Sequence, residues 1–345
     1  MKIIVSDDAS CDRTVSIVKD FAKSVDIPVH LYLNDPALGF GENFLSAASH
    51  AKGELVAFCD QDDVWHPDKI CLCSDYFGNR NTVLAAHKSR LIDWAGNLIG
   101  SFTQDITSDN LLPPLSYGPW DVFFGFSMVF RRSLLNVLPR DRRGADYILG
   151  HIPLSHDRWI LYLANMLGQT QEINVALTDY RQHTHNTFGK FWKVKKDFEP
   201  HLVCQESERY VASSHRFRSL VDAIRSDIST DFPLFNRSAC QQFWNKAVAQ
   251  QVSRRRIYTS ATKTTAFSIL CFNVLGPTYH NVNNGRLRWR SIGKDLAYIA
   301  RSRQAVFMEK ADQHPMPRSE EKVLPQDSGA EEFGRKAEPV APPGK

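Results

Sequence analysis

Three acids within four residues, Asp60, Asp62 and Asp63, follow directly on the apolar run Leu55-Val56-Ala57-Phe58. A continuous apolar run that breaks abruptly into acids has the pattern of a buried parallel strand ending in a functional turn. Open α/β sheets place their chemistry at the carboxyl ends of strands, where these acids fall. Carboxylates so crowded repel one another unless a cation joins them, and hard oxygen ligands suit Mg²⁺ or Mn²⁺. An ion held by one or two carboxylates completes its shell with water and substrate phosphates. An acidic surface turn is the plain alternative. It leaves the apolar strand before the acids and the Trp65-His66-Pro67 segment after them without a reason, so the metal site is the expectation.

The elements that must position these acids alternate. Ile3-Ile4-Val5-Ser6 is a β-branched strand ending at Asp7-Asp8, and Val15 to Phe21 is apolar at helical spacing. Pro28 to Leu33 is a second strand, and Glu42 to about His50 a second helix. Lys52-Gly53 closes that helix before the acidic strand. Such β-α-β-α-β order predicts an α/β fold with a doubly wound sheet and right-handed crossovers. Downstream, Val83 to His87, Leu91 to Asp93, Gly125 to Arg132 and Val175 to Leu177 are expected strands, with Trp94-Ala95-Gly96-Asn97 a hairpin turn. Ser133 to Leu138 is a short helix. His156 to Leu167 is an amphipathic helix stopped by Gly168.

Composition bounds the rest. With 345 residues, 43% of them hydrophobic, the chain can bury a large core. A net charge of only +4 demands no nucleic-acid partner. The seven cysteines are odd in number and scattered, and Cys71-Leu72-Cys73 lacks zinc spacing, so reduced thiols in a cytoplasmic setting are expected. The opening residues are too short for the apolar part of a signal peptide, and Ala266 to Leu275 falls short of the ~20 residues of a membrane span. From Phe191 to Arg303 the pattern turns helical and basic. Arg286, Arg288, Arg290 and Lys294 stand opposite Leu287, Ile292, Leu296 and Ile299, which suggests either a basic amphipathic surface on the inner face of an anionic membrane or a solvated face packed on the domain. Beyond Gln304 the chain is rich in Pro, Glu and Lys and is expected to be disordered. The expected division is 1–189, 190–303 and a tail, 304–345.

Six segments together resemble the family 2 glycosyltransferases of the GT-A fold, in their rhamnosyltransferase-like branch. They are Ile4 to Ser10, Asn34 with Leu38-Gly39 and Asn43, Asp60 to Trp65, Gly125 to Phe130, His156-Asp157-Arg158-Trp159, and Tyr180-Arg181-Gln182-His183. The resemblance implies a mixed GT-A sheet followed by a mostly helical region. It also implies an inverting, metal-dependent transfer of a sugar from a nucleotide diphosphate, dTDP-rhamnose being favoured. The acceptor would be a cell-surface glycan, free or lipid-linked. By this resemblance Asp62 is the metal-binding acid of a DxD motif, Asp60 faces the ion or the nucleotide sugar, and Asp63 supports them. Asp8, with Asp7 beside it, bonds the nucleotide base, although both also suit a helix N-cap. Asp157 is the base that deprotonates the acceptor, although an acid in a helix's first turn is favourable by itself. Arg181 and His183 face the diphosphate, His183 as a further metal ligand. Asn43 lines the nucleotide site or caps its helix, and Trp65 borders the sugar or lies in the core.

Members of that family carry a further strand and helix, about 30 residues, before the strand that opens this chain. The resemblance therefore implies an amino-terminally truncated chain with an unpaired sheet edge. A non-catalytic remnant that at most binds nucleotide or a partner is the alternative. A nucleotidyltransferase is disfavoured, because no Gly-rich phosphate loop with a basic residue precedes the acids.

Overall fold

A computed structural model describes residues 1–183 and 199–302. The expected boundary at 189/190 and the expected tail 304–345 lie outside the described residues.

The β-branched run β1 (Ile3–Asp7) pairs in parallel with β2 (Val29–Leu33), Ile3 opposite Val29 and Asp7 opposite Leu33. Helix α1 (Thr14–Ser24) joins them as a crossover. Its start is closed by Asp12, whose Oδ1 accepts the Thr14 N–H at 2.9 Å, so neither Asp7 nor Asp8 caps it. These two strands form a sheet of their own.

The main sheet has seven strands in the order β3-β8-β5-β9-β4, with β6 added on β5 and β7 on β9. In chain order these are β3 (Leu55–Ala57), β4 (Val64–Trp65), β5 (Thr82–Ile92), β6 (Leu98–Phe102), β7 (Asn110–Leu112), β8 (Met128–Arg131) and β9 (Gln169–Arg181). Two sequence expectations are corrected here. The strand before the acids is not a buried parallel strand: β3 is half-buried and runs antiparallel to β8, Leu55 opposite Arg131 and Ala57 opposite Val129. The alternating segment therefore does not form one continuous doubly wound sheet, because β3 belongs to a different sheet from β1 and β2. The strands expected at 83–87 and 91–93 are one, β5, nearly all buried and parallel to β9. Gly125–Ser127 is a 3₁₀ turn leading into β8, and the helix expected at 133–138 is a 3₁₀ turn at Arg132–Asn136.

Helices α2 (Phe40–Ser49), α3 (Lys69–Asp75) and α4 (His156–Leu167) surround this sheet. Ten of the twelve residues of α4 are buried, so the helix expected to be amphipathic is enclosed nearly all round. Next come α5 (Pro200–Ala223) and α6 (Arg237–Tyr258), whose Phe217, Val221 and Trp244 enter the same core as Trp159 and Tyr162 of α4. The helical region is thus packed into the core of the sheet region. A second core joins the end of α6 to α7 (Lys263–Leu275) and α8 (Trp289–Arg301). Ile299 is buried there, with Leu287 and Ile292 packed against it. The apolar stripe of α8 is therefore mostly a packing face, with Leu296 left exposed. All seven cysteines are free thiols.

Candidate functional site

The two-residue strand β4 does more for the site than its length suggests. It pairs antiparallel with β9, Val64 opposite Asp179 and Trp65 opposite Thr178, which lays the acidic turn beside the carboxyl end of β9. There Asp63 Oδ1 accepts the Arg181 N–H at 2.9 Å, and His183 Nε2 lies 2.8 Å from Asp62 Oδ2. The Arg181 guanidinium bonds backbone: Nε donates to the Asp62 carbonyl at 2.8 Å, and Nη1 to those of Asp93 and Trp94 at 3.1 and 2.9 Å. Arg181 thus ties the acidic turn to the β5–β6 hairpin. Trp94, at the tip of that hairpin, is 74% exposed, its ring edge-on to His183 at 5.8 Å.

Electrostatics distinguishes the acids. Burial raises the Asp63 carboxyl to about 8, against the opposing hydrogen bond from Arg181, and the charges of Asp60 and Asp62 add to the rise. Burial also raises Asp60, to about 6, followed by the charges of Asp62 and Asp157, while Lys69 pulls the other way. Asp157 therefore stands close enough for its charge to reach Asp60. Lys69 is fully buried beneath the turn, and burial lowers its pKa to about 8. Its ammonium donates to the Phe126 carbonyl at 2.6 Å and to Thr178 Oγ1 at 3.2 Å, and lies 3.8 Å from the centre of the Trp65 ring. Trp65 accordingly packs on a buried cation.

Asp157 is delivered by the start of α4. Its Oδ1 accepts from the Ser155 hydroxyl and, at 2.7 Å, from the Arg158 N–H, the favourable first-turn geometry for an acid. The preceding residue, His156, fixes where that turn sits. Its ring stacks on Phe44 of α2 at 4.2 Å and meets Phe58, next to the acids, edge-on at 4.7 Å. Burial lowers its pKa to about 4, so the ring is neutral. Gly125 makes room for it: a Cβ there would lie 2.4 Å from His156 Nε2.

Asp7, Asp8 and Asn43 form a neighbouring cluster. Asp8 accepts the Leu38 and Gly39 N–H groups at 2.6 and 2.8 Å and the Asn34 amide at 3.2 Å, so it shapes the loop before α2. Asn43 donates to the Ser6 carbonyl at 2.9 Å and accepts from Asn34 at 2.8 Å. It ties α2 to β1 and does not cap α2, whose N-cap is Gly39. Asp7 is buried, with Oδ2 on the Ser10 N–H and Oδ1 buried without a hydrogen bond.

Among the described residues, no three His, Cys, Asp or Glu side chains are grouped as an ion site. Asp62 nonetheless offers a carboxylate oxygen beside the His183 imidazole, with the Asp60 carboxyl two residues away, and Asp63 Oδ2 is buried without a hydrogen bond. This donor chemistry fits a hard divalent ion held by one or two carboxylates and completed by phosphate and water. Sequence reasoning missed Lys69 and Trp94. A signal for Lys69 existed: it sits four residues before the buried Cys73 on the same face of a short helix. For Trp94 the turn motif alone gave none.

Residues 1–138 match the family described as Glycosyl transferase family 2. An uncharacterised protein of Mycobacterium tuberculosis is 25% identical over 209 residues, and an uncharacterised glycosyltransferase of Nostoc is 24% identical over 205 residues. These matches cover 56% and 54% of this chain and 56% and 57% of those proteins, so the chain spans little more than half the length of the curated relatives it matches. Among solved structures, S. aureus TarS 1–349 is similar over 74% of this chain and 80% of that one, with 13% identity and a TM-score of 0.42. The mannosyltransferase PcManGT of Pyrobaculum calidifontis, solved with GDP-Man and Mn²⁺, is similar over 90% and 76%, with 15% identity and a TM-score of 0.37.

Proposed function

We propose that this chain is a family 2 glycosyltransferase that moves a sugar, with inversion, from a nucleotide diphosphate sugar to an acceptor hydroxyl. The observation that carries the reading is that the start of α4 is seated against the acidic turn: His156, next to Asp157, meets Phe58, two residues before Asp60, edge-on at 4.7 Å, and the Asp157 charge adds to the rise of the Asp60 carboxyl. The match of residues 1–138 supports the reaction class. In this reading Asp157 takes the proton of the acceptor hydroxyl, and the acceptor oxygen attacks the anomeric carbon as its bond to the diphosphate breaks. Asp62, Asp60 and His183 would hold Mg²⁺ or Mn²⁺, which when bound supplies positive charge against the departing diphosphate. Asp7, Asp8 and Asn43 shape the wall next to the nucleotide, and Arg181 braces the turn on its diphosphate side. The donor is a dTDP- or UDP-sugar, dTDP-rhamnose foremost, and the acceptor is a cell-surface glycan, free or on a lipid.

Calorimetry with dTDP-rhamnose and UDP-sugars, with and without Mn²⁺, tests this. Binding should need the ion, and Asp62→Asn should weaken it at least ~10-fold by removing an anionic ligand. Unchanged affinity in the variant would remove the ion from the proposal. A second reading, a remnant that at most binds nucleotide without transfer, is favoured by one observation: the Asp8 oxygens assigned to the base are already engaged within the protein. Ion-dependent binding without release of nucleotide diphosphate in the presence of acceptor glycans would select it.

A further inference from the structure

The geometry points to a membrane-docking face on α7, built for the surface of an anionic bilayer and independent of the sugar-transfer reading. Helix α7 turns Ala266, Leu270 and Asn273 into the second core. On its opposite side Phe267, Cys271, Phe272 and Leu275 fall within an arc of about 140° at 100° per residue. Phe267 is 50% exposed, Phe272 77% and Leu275 89%. Such large apolar side chains are among the residues least suited to water, and side by side they mark an interaction surface.

The neighbouring helix extends the face. Lys263 at the start of α7 donates to the Ala300 carbonyl near the end of α8. The two helices thus run antiparallel, and the Phe272–Leu275 end lies alongside the start of α8. There Trp289 is 71% exposed, flanked by the exposed Arg286 and Arg290.

Charge selects the occupant. Between Thr259 and Ser302 the chain carries six basic residues, Lys263, Arg286, Arg288, Arg290, Lys294 and Arg301, against one acid, Asp295. That acid is fully buried, paired with Arg254. The nearby acids of α5, Glu206 and Glu208, are neutralised by Lys294 and Arg255. A surface of Phe, Leu and Trp edged by arginine, with no acid of its own, complements the headgroup layer of an anionic membrane. Among the described residues no helix is long and apolar enough to cross a bilayer, so the contact is a helix lying in the interface.

Sedimentation of the 345-residue chain with lipid vesicles tests this. The protein should bind vesicles containing phosphatidylglycerol at least ~10-fold more tightly than vesicles of phosphatidylcholine alone. Phe272→Ser with Leu275→Ser should cut binding by ~10-fold or more while leaving the melting curve unchanged, since both side chains lie in solvent. Arg286→Gln with Arg290→Gln should weaken only the binding to anionic vesicles, by roughly 20-fold. Equal partitioning into both lipids, or unchanged binding in the Phe272/Leu275 variant, overturns the proposal. So does a dimer in solution that this variant dissociates while no vesicles bind, because the face would then be covered by a second copy.

Discussion

The seat of His156 controls the placement of the proposed base, and Gly125→Ala probes it with a single methyl group. The new Cβ would lie 2.4 Å from His156 Nε2 and 3.1 Å from Cδ2. Ordinary carbon–nitrogen contact is nearer 3.4 Å or more, so the ring must shift by about 1 Å. It has nowhere soft to go, stacked on Phe44 at 4.2 Å and abutting Phe58 at 4.7 Å. Overpacking of this kind costs ~1–3 kcal/mol. For a chain of this size that lowers the melting temperature by roughly 1–4 °C. The shift also carries Asp157, the next residue, and a misplacement of about 1 Å in a reacting group costs ~10²-fold in rate. Calorimetry of Gly125→Ala, of His156→Ala and of the double variant separates the effects. Removing the ring removes the clash, so the double variant should be more stable than the sum of the two losses. Strict additivity, or a Gly125→Ala melting curve that overlays the wild type, would show that the ring is not confined as described.

Three other outcomes follow from the geometry. Asp157→Asn should keep donor affinity within about twofold while lowering transfer ~10²–10⁴-fold, the usual loss for a general base; wild-type turnover would remove Asp157 from the reaction. The folded Asp63 carboxyl keeps its proton to about pH 8, against its usual 3.8, so the folded state binds more protons between those values and stability falls as pH rises through them. Asp63→Asn abolishes that slope and, with chelator present, should be the more stable form at pH 8 by roughly 1–3 kcal/mol, the gap closing toward pH 4 in urea titrations; parallel pH profiles would contradict the burial of this carboxyl. In the second core, Asp295→Ala strands Arg254, which donates to both Asp295 oxygens at 2.9 and 2.7 Å, and should cost ~3–5 kcal/mol by urea denaturation.

Much of this was legible in the residues. The helix starting at His156 is found with both ends as expected, because a run of buried apolar residues between Ser155 and Gly168 allows little else. The Trp94 to Asn97 turn is equally local, closed by the Asn97 N–H on Asp93 Oδ1 at 2.8 Å. What failed was pairing. Nothing in Leu55-Val56-Ala57 says that its neighbour is the antiparallel β8, since a short apolar strand has the same pattern beside either partner. Nor does Val64-Trp65 announce itself as a strand; only its ladder to β9 makes it one. The apolar face of α8 shows the same limit. Amphipathic periodicity shows that a helix has an apolar face, and the fold decides whether that face meets a core or a membrane.

The acids illustrate the same division between pattern and placement. Their spacing shows that charge is crowded, but not how the crowding is relieved. Burial and mutual repulsion leave Asp63 protonated up to about pH 8 and Asp60 at its midpoint near pH 6, while the ammonium of Lys69 below is itself held near 8. At low pH, protons on Asp60 and Asp63, the buried Lys69 ammonium and the Arg181 guanidinium on the Asp62 carbonyl together offset the charge of the turn. A divalent ion entering at Asp60 and Asp62 must displace the proton that Asp60 holds, so ion affinity should rise with pH through about 6 and be accompanied by proton release. Calorimetric titration of Mn²⁺ in buffers of different ionisation enthalpy measures that proton directly. A proton count of zero at pH 6 would mean that Asp60 is already ionised and that the neighbouring cations compensate the turn without it.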